Sequence, residues 1–164
     1  MTERFYSDLR DRKLELKGIR NLVPVEDAFM TAGQPTEDHL RELATHGFEA
    51  VVNLGLLDPK YCLPDEERSV EALGMAYYHI PVNFQNPTIA SFERFRDIMR
   101  ALSNQKVFVH CAMNYRVACF AALFCEAELG WSREQADTHI RQVWEPDEAW
   151  NGFLGRVRDK FSNA

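Results

Sequence analysis

Two adjoining apolar segments constrain the fold of this chain most strongly. Residues 106–110, KVFVH, are a short apolar run that predicts a buried strand. Residues 117–129, VACFAALFCEAEL, are apolar on nearly every side, which predicts a helix at the centre of the domain. A buried strand that leads within a few residues into a buried helix is typical of a sheet covered by helices.

Short strand and helix candidates alternate along the rest of the chain. We predict further strands at 27–33, at an edge of the sheet, at 49–55 and at 76–82. Predicted helices run from Thr36 to Gly47, over 64–74, over the apolar repeat at 92–102, from Ser132 to about Val143, and between Trp150 and Phe161. We therefore predict one α/β domain over 1–164, with a central mainly parallel sheet of about four to five strands and helices on both faces.

Charge and hydropathy narrow the possible partners and location. The net charge of −6 lacks the basic excess of a protein that binds nucleic acid or an anionic membrane. The first residues contain no apolar stretch, and no segment is long and apolar enough to span a bilayer, so we expect a cytoplasmic protein without membrane contact. The cysteines show no C-x-x-C spacing, so we expect free thiols and neither a metal site nor a cofactor.

The loop between the predicted central strand and helix is the strongest candidate for a functional site. Ligands of open α/β sheets bind beyond the carboxyl ends of the strands, where this loop lies. A helix N-terminus and an adjacent arginine stabilise a thiolate at Cys111, which is the nucleophilic form of cysteine. Arg116 offers planar paired donors for an oxyanion, and the backbone amides of 112–116 can surround the same anion. The sequence therefore predicts an anion bound in the 111–116 loop.

Each of these residues also has a purely structural interpretation. A cysteine between a strand and a helix is often a small buried hydrophobe, and most arginines are solvated. The combination of Cys111 and Arg116 at the start of an apolar helix favours the anion site. For His110 we favour a structural role, in which it holds the loop by hydrogen bonds, over a proton shuttle.

Three blocks of sequence, TAGQPTEDHLRELATHGFEAVVNLG, YYHIPVNF and VHCAMNYRVACF, occur in order within about residues 29–125. Together they resemble the protein tyrosine/dual-specificity phosphatase superfamily, whose signature is H-C-x5-R between a strand and a central helix. The closest likeness is to a small bacterial branch with a shortened loop. The resemblance implies a phosphatase-like fold that hydrolyses a small phosphorylated molecule or a phosphoprotein.

The resemblance also assigns expected roles within the loop. Cys111 would form a cysteinyl-phosphate, Arg116 would bind the phosphoryl oxygens and His110 would orient the loop. The remaining residues of the phosphate-binding loop would be Ala112, Met113, Asn114 and Tyr115.

The loop departs from the family pattern in two ways. Four residues separate Cys111 from Arg116, one fewer than in the common phosphatase loop, and this interval resembles that of rhodanese-like sulfurtransferases. Val117 stands where the family often has a serine or threonine that assists breakdown of the phosphoenzyme, and the loop contains no glycine. Sulfur transfer is therefore an alternative function, and a catalytically impaired phosphate-binding module is another.

The expected general acid is also missing. Dual-specificity phosphatases place an aspartate in the loop that here reads IPVNFQNP, where Asn83 and Phe84 occupy its position. Neither side chain can protonate a leaving oxygen, and loss of general acid catalysis typically costs about 10²–10⁴-fold in rate. Glu145 and Asp147 are conceivable substitutes, but Asp147 near the start of a helix is explained more simply as a favourable charge there.

Several other residues have two interpretations each. Cys62 could form a disulfide with an oxidised Cys111 or be a simple loop thiol, which we favour. Cys119 and Cys125 lie in the apolar helix and are expected in the core. Tyr115 could either shape the mouth of the pocket or pack. The tryptophans are expected to pack between the last helices and the sheet.

Overall fold

A five-stranded sheet and six helices make up the described part of the chain, which in this computed structural model comprises residue 14 and residues 16–161. The strands are β1 (Val23–Val25), β2 (Phe29–Ala32), β3 (Ala50–Asn53), β4 (Ala76–His79) and β5 (Val107–His110). The helices are α1 (Glu37–Thr45), α2 (Glu66–Ala72), α3 (Ile89–Ala101), α4 (Tyr115–Glu128), α5 (Arg133–Arg141) and α6 (Glu148–Phe161).

The order of the strands places β5 at the centre of the sheet. The order is β1-β2-β5-β3-β4, and every pairing is parallel except that of β1 with β2. Phe108 of β5 lies opposite Met30 on one side and Val51 on the other. The carboxyl ends of β2, β5, β3 and β4 therefore meet at one edge, where a ligand of such a sheet binds. The predicted mainly parallel sheet is confirmed.

Apolar residues cover both faces of the sheet, because side chains alternate along a strand. One face, with Met30, Val51 and Phe108, packs against α1 and α2. The opposite face packs against α3 to α6 in a larger core that includes Val52, Val107 and Val109. The predicted placement of helices on both faces is confirmed.

Helix α4 lies within the larger core, as its uniform apolar character predicts. Every residue from Arg116 to Cys125 is buried. The ring of Phe120 contacts four others, with centroid distances of 5.4–6.1 Å, and these belong to Phe92, Phe95, Trp150 and Phe153. Helix α4 is therefore held firmly, and so is the loop that leads into it.

The strand predicted at 27–33 is present, but its predicted place at an edge of the sheet is wrong. The corresponding strand β2 lies between β1 and β5, and all of its residues are buried. The edge on this side of the sheet is β1, whose sequence VPV is too short to show a period and contains Pro24. Proline is tolerated on an edge strand because its missing N–H is not needed by a second neighbour.

The other predicted elements are present, with ends that differ from the predicted ones by a few residues. Strands β3 and β4 end at Asn53 and His79, before the predicted ends at 55 and 82. Thr36 and Ser132, where two of the predicted helices begin, are the N-caps of α1 and α5, each with a reciprocal capping box. Gly47 follows α1 with a φ of 82°, a left-handed conformation that glycine adopts without strain. Among the described residues, no helix is both long and apolar enough to cross a membrane.

Candidate active site

The loop from Cys111 to Asn114 connects the central strand β5 to the N-terminus of α4. The side chain of Cys111 is fully buried. It borders an apolar cavity of about 240 Å³, whose walls are formed by Phe84, Cys111, Ala112, Met113, Tyr115 and Arg116. The structure thus brings the predicted nucleophile, the predicted oxyanion ligand and much of the predicted loop to one cavity at the carboxyl edge of the sheet.

Three successive carbonyls of the loop are held from outside. His110 Nδ1 lies 3.2 Å from the Cys111 oxygen, the amide of Gln34 donates to the Ala112 oxygen at 3.0 Å, and Asn21 Nδ2 donates to the Met113 oxygen at 2.8 Å. The N–H of each peptide points opposite to its carbonyl, so the amides of residues 112–114 turn to the inner side of the loop. Such a concave set of N–H groups is an anion-binding nest.

Asn114 supplies the sharp turn that glycine usually makes in such loops. Its φ is 72°, in the left-handed region that asparagine tolerates better than most residues. Its Nδ2 donates to the Asn21 oxygen at 2.7 Å and to Thr31 Oγ1 at 3.1 Å, which fixes the side chain beneath the loop. The absence of glycine between Cys111 and Arg116 therefore does not prevent the loop from forming.

Glycine is required instead at Gly33, at the carboxyl end of β2. A Cβ at this position would lie 2.6 Å from the Ala112 oxygen, closer than van der Waals contact permits. The sequence placed this position at the end of a predicted strand, shortly before a predicted helix. The contact between the two loops was missed because it joins segments that are distant in sequence.

Arg116 is a buried cation on the wall of the cavity. Arg116 is only 6% exposed, and one terminal nitrogen of its guanidinium donates to the Val82 oxygen at 3.0 Å. Its Nε is buried and has no hydrogen-bond partner, and no carboxylate of the described residues pairs with the guanidinium. A buried, unpaired donor on a cation is costly unless an anion binds it. This arrangement is suited to an oxyanion held beside Cys111.

His110 is paired with a carboxylate that the sequence did not identify. Its Nε2 lies 2.6 Å from Oε2 of Glu66, and both side chains are buried. Burial alone raises the pKa of the Glu66 carboxyl, but the charge and hydrogen bond of His110 and a hydrogen bond from Gln34 outweigh it, and the pKa is lowered. Glu66 was missed because acidic residues are usual in the first turn of a helix.

Asn83 and Phe84, which occupy the position of the expected general acid, have structural roles. Asn83 is exposed, and its Oδ1 accepts a hydrogen bond from the amide of Gln85 at 2.8 Å, which forms a local turn. The ring of Phe84 lies on the cavity wall, and its carbonyl accepts a hydrogen bond from Trp150 Nε1 at 2.7 Å. Within the part of the chain that the structure describes, no carboxylate lines this cavity.

The two substitute acids proposed from the sequence lie elsewhere. Asp147 Oδ1 accepts a hydrogen bond from the Trp150 amide at 3.0 Å and so caps the first turn of α6. The exposed side chain of Glu145 lies 3.8 Å from Arg141. The simpler interpretation of Asp147 as a favourable helix-end charge agrees with its position.

An aromatic cluster borders the mouth of the cavity. Tyr115 stacks on Trp144 with ring centroids 4.8 Å apart and an angle of 5° between the planes. Phe84 contacts both rings and Trp150. Tyr115 therefore does both things that the sequence suggested, since it packs and shapes the pocket.

The other cysteines lie away from this cavity. Cys62 is half-buried and lines a separate cavity of about 710 Å³ with Tyr77, Tyr78 and His79. Cys119 and Cys125 lie in the core as expected, and burial raises the pKa of both thiols. Within residues 14 and 16–161, no group of three or more His, Cys, Asp or Glu side chains is placed to hold a metal ion.

Comparison with known proteins agrees with the fold. Residues 17–124 match the family model described as a DSP-PTPase phosphatase fused to NAD⁺ kinase. A candidate phosphatase of the DUF442 group from Shewanella putrefaciens CN-32 is 32% identical, with a TM-score of 0.80 over 89% of this chain and 96% of that one. No curated protein matches the chain.

More distant solved structures share the fold. A kinase-associated phosphatase is 18% identical, with a TM-score of 0.71 over 83% of this chain and 88% of its own. TpbA of P. aeruginosa, solved in complex with pTyr, is 14% identical, with a TM-score of 0.67 over 88% of this chain and 91% of its own. From the match over residues 17–124 and the 32% identical relative, the chain belongs to the PTP-NADK family of DSP-PTPase phosphatases.

Proposed function

We propose that this chain hydrolyses phosphomonoesters through a cysteinyl-phosphate on Cys111. The observation that carries the proposal is the buried, unpaired guanidinium of Arg116 in the same cavity as the Cys111 thiol. The thiolate attacks phosphorus, so that the S–P bond forms as the bond to the ester oxygen breaks. Arg116 and the amides of 112–114 hold the phosphoryl oxygens during this step. Water then attacks phosphorus, the S–P bond breaks and inorganic phosphate leaves.

The composition of the cavity determines how the leaving oxygen is protonated. Since no carboxylate of the described residues lines the cavity, the leaving group departs as an anion and takes its proton from water. A phenol leaves more readily than an alkanol under these conditions because its anion is more stable. We therefore propose that hydrolysis slows steeply as the leaving group becomes more basic.

The second step also lacks a side chain that assists it. Val117 is fully buried and has no hydroxyl to orient the attacking water. With a good leaving group, breakdown of the cysteinyl-phosphate is the slower step, and we expect the intermediate to accumulate.

Two observations support a phosphorylated substrate with an organic group next to phosphorus. The cavity mouth is aromatic, with Phe84 and Tyr115 on its wall. Solved structures of the same fold include TpbA with pTyr and PTPMT1 with PI(5)P. We propose a small phosphorylated molecule or a phosphoprotein as the substrate.

We also propose that residues 1–164 form one phosphatase-like domain around this site. The proposal rests on the described residues, whose two apolar cores share a single central sheet.

The proposal is tested with 4-nitrophenyl phosphate as substrate and vanadate as an inhibitor. We expect slow release of 4-nitrophenol that vanadate blocks and that Cys111→Ser abolishes. The matched control is Cys62→Ser, a half-buried thiol outside the cavity, which should retain activity. Release that is equal in wild type and Cys111→Ser would overturn the proposal.

The alternatives from the sequence have distinct outcomes in parallel assays. A sulfurtransferase forms thiocyanate from thiosulfate and cyanide, which a phosphatase does not. A phosphate-binding module binds vanadate or phosphate but shows no turnover in the wild type. Only the interval of four residues between Cys111 and Arg116 favours sulfur transfer, whereas the family model and the solved relatives are phosphatases.

A further inference from the structure

The two ring nitrogens of His110 both face oxygen acceptors. Nδ1 lies 3.2 Å from the carbonyl oxygen of Cys111, which can only accept, so Nδ1 carries a proton. Nε2 lies 2.6 Å from Oε2 of Glu66. The other carboxylate oxygen of Glu66 accepts a hydrogen bond from Gln34 Nε2 at 2.8 Å. This set of partners matches an ionised Glu66 and a doubly protonated imidazole.

The electrostatic environment of Glu66 agrees with that assignment. Burial acts to raise the pKa of its carboxyl, yet the charge and hydrogen bond of His110 and the hydrogen bond from Gln34 hold the pKa below its ordinary value. A buried carboxylate and a buried imidazolium in direct contact stabilise each other's charged form.

The pair is oriented with respect to the nucleophile. The ring of His110 precedes Cys111 directly in the chain, and the carboxylate lies on the far side of that ring, at Nε2. The Nδ1 side of the ring therefore faces the Cys111 peptide. The Nδ1–H also holds the Cys111 carbonyl, which keeps the following amide turned into the loop.

We propose that Glu66 is a positioning residue for the reaction at Cys111: its carboxylate keeps His110 doubly protonated, and the resulting cation stabilises the thiolate and fixes the first peptide of the loop. This inference rests on the proposed function for its catalytic consequence. The protonation state of His110 can be measured without any turnover, so failure of the two proposals can be distinguished.

Other titratable groups lie near Glu66 and His110, and an experiment must distinguish their titration from that of the pair. His79 of β4 helps to lower the pKa of Glu66. The charge of Glu66 in turn acts on Tyr77 of the same strand. Burial and the charge of Glu66 raise the pKa of Tyr77 to about 12, so Tyr77 stays neutral where the enzyme is assayed. His79 Nε2 contacts the Gly55 oxygen at 2.7 Å, and Glu67 follows Glu66 on α2.

The first test is ¹⁵N NMR of the imidazole nitrogens. We expect both nitrogens of His110 to be protonated in the wild type near neutral pH, and only one in Glu66→Gln. The matched control is Glu67→Gln, which makes the same change of charge at the adjacent, exposed position of α2. His79→Asn removes the signal of the other nearby imidazole. A neutral His110 in the wild type would overturn the inference.

The second test is the pH dependence of Cys111 alkylation by iodoacetamide. In Glu66→Gln we expect the pH midpoint of Cys111 alkylation to rise by about one pH unit. The reason is that His110 loses its positive charge, which stabilises the thiolate even though the Glu66 carboxylate partly offsets it. Glu66→Asp keeps the charge and should restore the midpoint in part, whereas Glu67→Gln should leave it unchanged. Far-UV circular dichroism identifies any variant that has lost its fold. An unchanged midpoint in folded Glu66→Gln would overturn the inference even if the protein is an active phosphatase.

Discussion

The guanidinium of Arg116 combines deep burial with a free donor. Its hydrogen bond to the Val82 oxygen fixes the direction of the side chain, and Nε, which has no partner among the described residues, is left for a ligand. A lysine would keep the charge but could not offer the planar paired donors of a guanidinium. The function of this residue therefore depends on geometry as well as on charge.

We predict that Arg116→Lys lowers kcat/KM for 4-nitrophenyl phosphate by about 10²-fold, since loss of one preorganised oxyanion donor typically costs about 10²–10³-fold. Affinity for vanadate should fall in the same variant. The control is Arg133→Lys, an exposed arginine at the start of α5, which should behave as the wild type. Equal kcat/KM in Arg116→Lys and wild type would contradict the assigned role.

Individual site residues differ in how well the sequence identified them. Cys111 and Arg116 were found because both lie in one short segment between two strongly apolar elements. Glu66 and Gln34 could not be found in this way. Glu66 contacts Gln34 and His110, and the residues of each pair lie 32 or more positions apart in the sequence. The contact of Gln34 with the loop depends in addition on the fold of β2. Local patterns carry no information about such distant contacts.

At the scale of elements, the phosphate-binding loop depends on its contact with the end of β2. The amides of Gly33 and Gln34 lie in this connection, and Gln34 donates to the Ala112 oxygen at 3.0 Å. The close approach of the two backbones leaves no space for a side chain at Gly33. The shape of the loop is therefore set in part by an element that contributes no group to the cavity.

We predict that Gly33→Ala displaces the loop and lowers phosphatase activity by at least about tenfold, because a shift near 1 Å at a catalytic loop can cost up to about 10²-fold. The control is Gly155→Ala in α6, where nothing lies within 4 Å of an added Cβ. That substitution should leave activity unchanged and stabilise the helix by about 0.5–1 kcal/mol. Steady-state kinetics and denaturant unfolding of both variants provide the comparison.

The elements themselves were largely predictable because their signals are local. The apolar sequence of α4 predicted its burial, and Thr36 and Ser132 marked the starts of α1 and α5. Strand β1 was missed because a strand of three residues has too few positions for a period. Its antiparallel pairing with β2 is a tertiary contact, and the wrong edge assignment of β2 follows directly from that omission.

At the scale of the whole molecule, the larger core holds α4 between the sheet and the later helices. Phe120 lies at its centre among four aromatic rings. We predict that Phe120→Ala lowers the free energy of unfolding by about 3–5 kcal/mol, the usual range for a buried aromatic residue. Urea unfolding followed by circular dichroism measures this change. A loss below 1 kcal/mol would show that the core around α4 is less tightly packed than described.

Buried His139 makes stability depend on pH. Burial lowers the pKa of its imidazole from 6.5 to about 4, and its Nε2 has no partner among the described residues. The unfolded chain therefore binds a proton at this histidine before the folded chain does. Stability is fully present above the unfolded pKa and is lost as pH falls from about 6.5 towards 4.

We predict that this histidine accounts for up to about 3 kcal/mol of the loss of unfolding free energy in that range. His139→Gln should make the dependence on pH shallower, whatever its stability at neutral pH. The measurement is urea unfolding at a series of pH values. An identical slope in both proteins would mean that His139 is not kept neutral by the fold.

The central claim is that Cys111 becomes phosphorylated during turnover. The most direct measurement quenches the wild-type protein in acid during turnover of 4-nitrophenyl phosphate and locates any phosphoryl group by peptide mass spectrometry. We predict a phosphoryl group on Cys111, accumulated because Val117 cannot assist its hydrolysis, and none on residue 111 of Cys111→Ser. Turnover by the wild type with Cys111 unmodified at every time point would contradict the claim.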